Sequence, residues 1–285
     1  MATFYNQATL SYNGNTTTSN MTTGELVEVL SATKQALLPT YSAAGDTVTF
    51  TISIVNTGTA PFTGLTITDT LGAYTYGIDT LVPLTHIKDT IQYYTNGVLQ
   101  PTPTVNDGPP LTITGITVPA GGNATIIYDT VVNQHAPLGT DGEITNEAVI
   151  SGGGLTNNIS VRTDVTAANT ANLSISKSMY PTTVSENGQL TYTFIIQNTG
   201  NTAATTSDSI IVTDTFEPIL NPITVTFNDT AWTSPTNYTY NSTTGEFATL
   251  DNQITVPAAT YTQNPTTGAW VVTPGVSKLT ITGTV

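Results

Sequence analysis

The sequence predicts an all-β protein of two tandem β-sandwiches, the second incomplete and completed by an N-terminal donor strand. Three observations predict it. The composition is rich in Thr, Val, Ile, Gly and Asn, with no amphipathic helical window beyond two turns. Short blocks recur in the same order through the two halves of the chain. One block that should close the second half stands instead at the N-terminus.

A length of 285 residues suits two domains, each with its own core. Five Lys and Arg against nineteen Asp and Glu give a net charge of -14, which argues against nucleic acid or an anionic membrane as partner. No stretch is long and apolar enough to predict a membrane span, and 1–20 carries no basic region followed by an apolar run. An export signal is therefore not visible, leaving mother-cell lysis or a non-classical route as expectations. With no cysteine, any covalent reinforcement must use other chemistry.

Four ordered matches define the repeat. Ser31-Ala32-Thr33-Lys34 returns as Ser174-Ile175-Ser176-Lys177. Thr49-Phe50-Thr51-Ile52 with Asn56-Thr57-Gly58 returns as Thr191-Tyr192-Thr193-Phe194 with Asn198-Thr199-Gly200. Thr68-Asp69-Thr70 matches Thr213-Asp214-Thr215, and Ile116-Thr117-Val118-Pro119-Ala120 recurs unchanged from Ile254 to Ala258. The blocks alternate like strands, separated by Gly, Pro and Asn clusters at sandwich spacing, which predicts immunoglobulin-like domains.

Setting Thr130-Val131 against Thr284-Val285, the second repeat lacks its last one or two strands. Asn6-Gln7-Ala8-Thr9-Leu10-Ser11 matches Asn146-Glu147-Ala148-Val149-Ile150-Ser151 and supplies a closing strand. The expected division is a donor strand and linker over 1–24, a complete domain over 25–168 and an incomplete one over 169–285. An unfinished sandwich exposes an apolar groove and an unpaired edge. Filling it from a neighbour gives a head-to-tail homopolymer by strand addition.

Alternation also assigns faces. Leu30, Ala32, Lys34 and Ala36 point one way, as do Leu173, Ile175, Lys177 and Met179. Asp69 falls inward with Leu65 and Ile67, Asp214 with Ile210 and Val212, Asn146 with Ile144 and Ala148, and Asn6 with Ala8 and Leu10. Interior Lys and Asp are costly unless partnered, and a buried ion pair is the plain explanation for either pair alone. Their recurrence gives two triads: Lys34, Asp69 and Asn146, and Lys177, Asp214 and a neighbour's Asn6.

This order of Lys, Asp and Asn resembles that of the isopeptide-forming, collagen-adhesin-type immunoglobulin-like domains of Gram-positive pilins and adhesins. The Asn-Thr-Gly and Thr-Asp-Thr blocks resemble a conserved repeat domain of bacterial surface proteins. The resemblance implies a Lys to Asn isopeptide bond, with Asp69 and Asp214 as catalytic acids. Burial would lower the lysine pKa to free an amine nucleophile, while a protonated Asp polarises the Asn carbonyl and shuttles protons. It implies a cross-link from Lys34 to Asn146 within the chain and from Lys177 to Asn6 between chains. Leu38-Pro39-Thr40 matches part of a sortase motif but lies among strands, so assembly by sortase is not expected.

The expected role is a structural subunit of an extracellular, cell-surface or spore-surface fibre. The alternative is an adhesin or binding-module fragment of a larger surface protein, with bonds only within the chain. Trp232, Trp270, Tyr238 and Tyr240 are candidates for stacking on a host or surface ligand, which the sequence does not identify, with core packing the plainer reading for most of them. No cofactor is expected. His86 and His135, read as loop residues, make no catalytic or metal pattern, and Asp107, Asp129 and Asp141 lack calcium-loop spacing.

Overall fold

The structure is a computed structural model that describes residues 2–285. An N-terminal segment carries β1 (Ala2–Asn6), β2 (Thr9–Tyr12), β3 (Asn15–Thr18) and β4 (Thr22–Leu26). The first repeat carries β5 (Leu30–Ala36), β6 (Thr40–Tyr41), β7 (Thr47–Asn56), β8 (Phe62–Asp69), β9 (Tyr74–Tyr76), β10 (Asp79–Leu81), β11 (Leu84–His86), β12 (Gln92–Thr95), β13 (Val98–Leu99), β14 (Thr104–Asn106), β15 (Leu111–Val118), β16 (Asn123–Val132), β17 (Glu143–Gly152) and β18 (Ile159–Ala167). The second carries β19 (Leu173–Tyr180), β20 (Gln189–Asn198), β21 (Thr213–Thr215), β22 (Ile223–Phe227), β23 (Thr230–Trp232), β24 (Tyr238–Tyr240), β25 (Glu246–Thr249), β26 (Thr260–Gln263), β27 (Trp270–Thr273) and β28 (Gly275–Thr284).

In the first repeat one sheet runs β13-β12-β16-β7-β5, with β11 also on β16, and the facing sheet runs β14-β15-β8-β17-β18-β6. Strict alternation on β7 and β16 drives the packing: Val48, Phe50, Ile52 and Ile54 are buried against Ala124, Ile126 and Tyr128. Leu65 and Ile67 of β8 and Leu111 and Ile113 of β15 fill the core from the other sheet. Each such large apolar side chain contributes about 1.5–3 kcal/mol by leaving water.

The second repeat rebuilds the first of these sheets as β19-β20-β28-β22-β23. Its facing sheet stops at β21-β25-β24. β21 takes the place of β8, β25 that of β15 and β24 that of β14, so among the described residues nothing in this repeat stands where β17, β18 and β6 stand. A core still forms from Tyr192, Phe194, Phe216, Phe247, Leu279 and Ile281. Val285 N donates to Gly188 O as Val132 N donates to Asp46 O. The register is thus one residue off the sequence alignment: Val285 matches Val132, not Val131.

Asn15–Leu26, which reads as linker, forms strands instead. Asn13 and Gly14 both have positive φ, 48° and 78°, the geometry of a two-residue hairpin turn. They fold β3 onto β2 and β4 onto β1, with Asn6 opposite Thr22. Ser19 N bonding to Ala8 O carries the pairing through the interruption at Gln7 and Ala8. The result is a two-armed hairpin with the connectivity of the β17–β18 pair. Most of its side chains are exposed, including Phe4, Tyr5, Leu10 and Tyr12.

The recurring Asn-Thr-Gly block has a structural cause. Asn56 Nδ2 donates to Ala60 O and Pro119 O at 2.8 and 2.9 Å, and its Oδ1 accepts from Gly58 N. Asn198 repeats this with Thr202 O, Pro257 O and Gly200 N. Each asparagine therefore pins the end of its strand to the invariant Val-Pro-Ala block. The second repeat also inserts the β26–β27 hairpin after that block, where the first has only a Gly121-Gly122 turn. This hairpin reaches the first repeat: Trp270 N donates to Gln134 O at 2.8 Å and Gln263 Nε2 to Tyr74 OH at 3.0 Å.

Replacing Asn56 by Ala should destabilise the first repeat by about 3 kcal/mol, since two carbonyls and one N–H lose a buried partner. Denaturant unfolding measures it, and Asn198→Ala should act likewise on the second repeat.

Candidate functional site

The first triad sits between the sheets. β5 presents Lys34 and β8 presents Asp69, with Nζ 2.7 Å from Oδ2 and both side chains sealed from solvent, 0% and 1% exposed. Asn146 arrives on β17, fully buried, because Ala148 pairs with Asp69 across the β17–β8 ladder. Asp69 is held from three directions: by Lys34 Nζ, by the Tyr128 hydroxyl, and at Oδ1 by Leu71 N at 2.8 Å. Burial lowers the Lys34 pKa from its ordinary 10.5, with Asp69 pulling the other way.

The Asn146 carbonyl is not polarised by Asp69, as the sequence suggested. Its Oδ1 accepts from Gly72 N at 3.1 Å. The turn after β8 makes this fit: Gly72 has φ +73°, and a Cβ there would lie 2.4 Å from Ile144 Cγ2. A backbone N–H aimed at a carbonyl oxygen stabilises charge that develops there. Asn146 Nδ2, by contrast, is buried without a hydrogen-bond partner.

Tyr128 is the member of this site that the sequence reading missed. Its hydroxyl is pushed well up by burial first and Asp69 next. Alternation along β16 puts Ala124, Ile126 and Tyr128 inward, and a phenol on that face was the available signal.

The second site repeats the pair but not the enclosure. Lys177 Nζ bonds Asp214 Oδ2, yet the side chains are 39% and 18% exposed. Lys177 lies over the Tyr192 ring, 4.3 Å from its centroid. Every residue of β19 is exposed, Ile175 at 55%, whereas β5 buries Leu30 and Lys34 beneath β18. Asn6 is in the hairpin, its carbonyl accepting from Thr22 Oγ1, and no hydrogen bond joins it to Lys177 or Asp214.

The other candidates resolve as packing. Trp232 stacks on Phe227 at 4.9 Å, Tyr238 is buried, and Tyr240 donates to Leu220 O at 2.6 Å. The Trp270 indole nitrogen is buried. His86 is a buried strand residue, not a loop one, with Nδ1 2.8 Å from Asp107 Oδ1. Asp129 also lies in a strand, accepting from Thr49 Oγ1. No described helix is long and apolar enough to cross a membrane.

The fold and sites define a chain of two immunoglobulin-like β-sandwiches, each with a Lys–Asp pair, sealed in the first and open in the second. No family model and no curated protein matches it. Among solved structures it is similar to a single-site variant of the major pilin subunit of Bacillus cereus, at 9% identity and TM-score 0.39, covering 96% of this chain and 73% of that one. It is similar to a C-terminal fragment of the major pilin of Streptococcus agalactiae at 12% identity and TM-score 0.34, over 51% of this chain and only 58% of that one. A collagen-binding domain from a Staphylococcus aureus adhesin matches at 15% identity and TM-score 0.31, over 47% of this chain and 96% of that one. Pilins and an adhesin domain are thus among its neighbours, the classes the sequence resembles; at these TM-scores they transfer no residue roles.

In an Asn146→Ala variant Lys34 is a free amine able to titrate. The variant's folded form binds fewer protons than its unfolded form between the lowered Lys34 pKa and 10.5. Folding stability should therefore rise with pH across that window. Denaturant melts at stepped pH measure this, and adding Lys34→Met should flatten the rise.

Proposed function

We propose that the chain is a structural subunit of an extracellular, cell-surface or spore-surface fibre, in which the hairpin of one molecule completes the second sandwich of the next. The observation that carries this reading is the contrast between the two Lys–Asp pairs. One is sealed beneath β17 and β18; the other lies open where two such strands are lacking, and the chain carries a matching hairpin. Transferring the β17–β8 register sets Ala8 opposite Asp214, Leu10 opposite Val212 and Tyr12 opposite Ile210. The second arm then covers Leu173, Ile175 and Met179 as β18 covers β5. The contact joins different surfaces of successive molecules and propagates as an open filament.

Docking in that register brings Asn6 to Lys177 and Asp214. At each site the Lys Nζ–Asn Cγ bond forms, the Cγ–Nδ2 bond breaks and ammonia leaves. Fixed neighbours supply the effective concentration that lets an unreactive amide react once. The first bond staples β5 to β17; the second welds one subunit to the next.

Native material boiled in SDS should run as a ladder. Lys177→Ala or Asn6→Ala should collapse the ladder to monomer while filaments persist in negative stain, and deleting residues 2–26 should abolish both. Lys34→Ala should restore one ammonia to the mass and leave the ladder. A single monomer band from native wild type, with the intrachain mass loss intact and no filaments in negative stain, overturns the fibre in favour of a surface-protein repeat with bonds only within the chain.

A further inference from the structure

We propose that Tyr128 relays a proton from Asp69 to the departing amide nitrogen of Asn146, and that the lack of this relay makes the second site the slower of the two. The inference rests on the isopeptide reading above.

Tyr128 is placed for it. Its hydroxyl donates to Asp69 Oδ2, the same oxygen that takes Lys34 Nζ. The ring is fixed by stacking on Phe50, with centroids 5.6 Å apart, and by the His86 ring at 6.2 Å. Tyr128 and Asn146 are both buried around Asp69: Tyr128 bonds its Oδ2, and Asn146 stands two residues along β17 from Ala148, the residue opposite Asp69. Gly72 N fixes Oδ1, which settles the amide's orientation and leaves Nδ2 as the buried atom without a partner. An unsatisfied donor in a sealed core is costly, and it is the atom the reaction expels.

The protons balance as follows. Lys34 gives one to Asp69 Oδ2, and the neutral amine attacks Cγ, with the oxyanion held by Gly72 N–H. Asp69 passes its proton to the Tyr128 oxygen while the Tyr128 proton moves to Nδ2. Ammonia leaves as the carbonyl reforms, and the surplus proton on Nζ returns to Asp69.

In the second repeat no phenol hydrogen-bonds the aspartate: Asp214 takes Lys177 Nζ, and the Tyr192 ring lies beneath that amine. Tyr128 stands opposite Phe50, and in the same register Ile281 stands opposite Tyr192. Glu217 takes the place of Gly72. The intrachain staple therefore closes before the weld between subunits.

The full-length chain, isolated in denaturant and then refolded, lets ammonia loss be timed by intact mass, with peptide mapping of the Lys34–Asn146 and Lys177–Asn6 links. Tyr128→Phe should slow the first link about 100-fold. It should also turn a bowl-shaped proton inventory in mixed H2O and D2O into a straight line, a change that loosened packing alone does not produce. Because the phenylalanine variant could lose its fold, placing 3-fluorotyrosine at 128 gives an isosteric second arm, in which the rate should follow the acidity of the phenol. The wild-type Lys177–Asn6 link should lag the Lys34–Asn146 link. Wild type that never forms the first link overturns the isopeptide reading itself. A wild type that forms it, with either altered chain matching its rate and proton inventory, overturns the relay alone.

Discussion

A lysine and an aspartate can be sealed between two β-sheets only while each partners the other. The first repeat meets that condition with six strands in the sheet that carries Asp69. β17 seals one edge and β18 covers β5, so Lys34 and Asp69 face each other, Tyr128, Phe50, Asn146 and a backbone turn. The second repeat keeps the charges and drops the cover. Its amine reaches solvent, and an apolar stripe on β19 lies open beside it. The consequences run together because one pair of strands controls all of them: the burial of the pair, the edge of the sheet and the apolar face.

The repeat could be read directly because its determinants are local. Alternation placed Lys34, Asp69, Lys177 and Asp214 on inner faces, and the structure pairs each lysine with its aspartate. Turn chemistry was the first thing missed. Asn13-Gly14 is a strong hairpin signal, yet the Thr-rich stretch after it has no apolar alternation and reads as linker; its strands are specified by pairing, not by burial. The second was the polarisation of the Asn146 carbonyl. Leu71 and Gly72 both adopt positive φ, and such a turn aims backbone N–H groups whose direction no side-chain pattern encodes. The packing of Trp232, Tyr238 and Tyr240 agrees with the plainer sequence reading, although their short irregular strands show too few residues to reveal a period.

The two joints along the chain axis are built differently. Between the repeats, the β26–β27 hairpin meets Tyr74, Gln134 and the neighbourhood of Leu81, and Asn201 Nδ2 donates to Leu138 O at 3.2 Å. Except for the Asn201 bond, these contacts involve insertions specific to one side or the other: the β9–β10 loop has no counterpart in the second repeat, and the β26–β27 hairpin none in the first. The joint between the N-terminal hairpin and the first repeat has neither. Only Val27, Glu28 and Val29 connect β4 to β5, beside a small apolar pocket lined by Phe62, Leu155 and Ile159. Stiffness therefore concentrates between the sandwiches and not at the base of the hairpin.

For the assembly proposed above, a hairpin that is already folded changes the energetics of docking. Ordering a free segment of this length on docking would cost about 1–2 kcal/mol per residue in backbone entropy. Here the two arms already bond each other, so that cost is met within the subunit and docking orders chiefly side chains. Each arm still has one unpaired edge, and the β1–β2 arm can add hydrogen bonds to β21 without breaking any of its own. The apolar side chains it exposes then leave water together with Ile175 and Met179. In the proposed assembly such a contact would gain its stability from burial and edge pairing, and covalent closure would follow from the enclosure that docking creates.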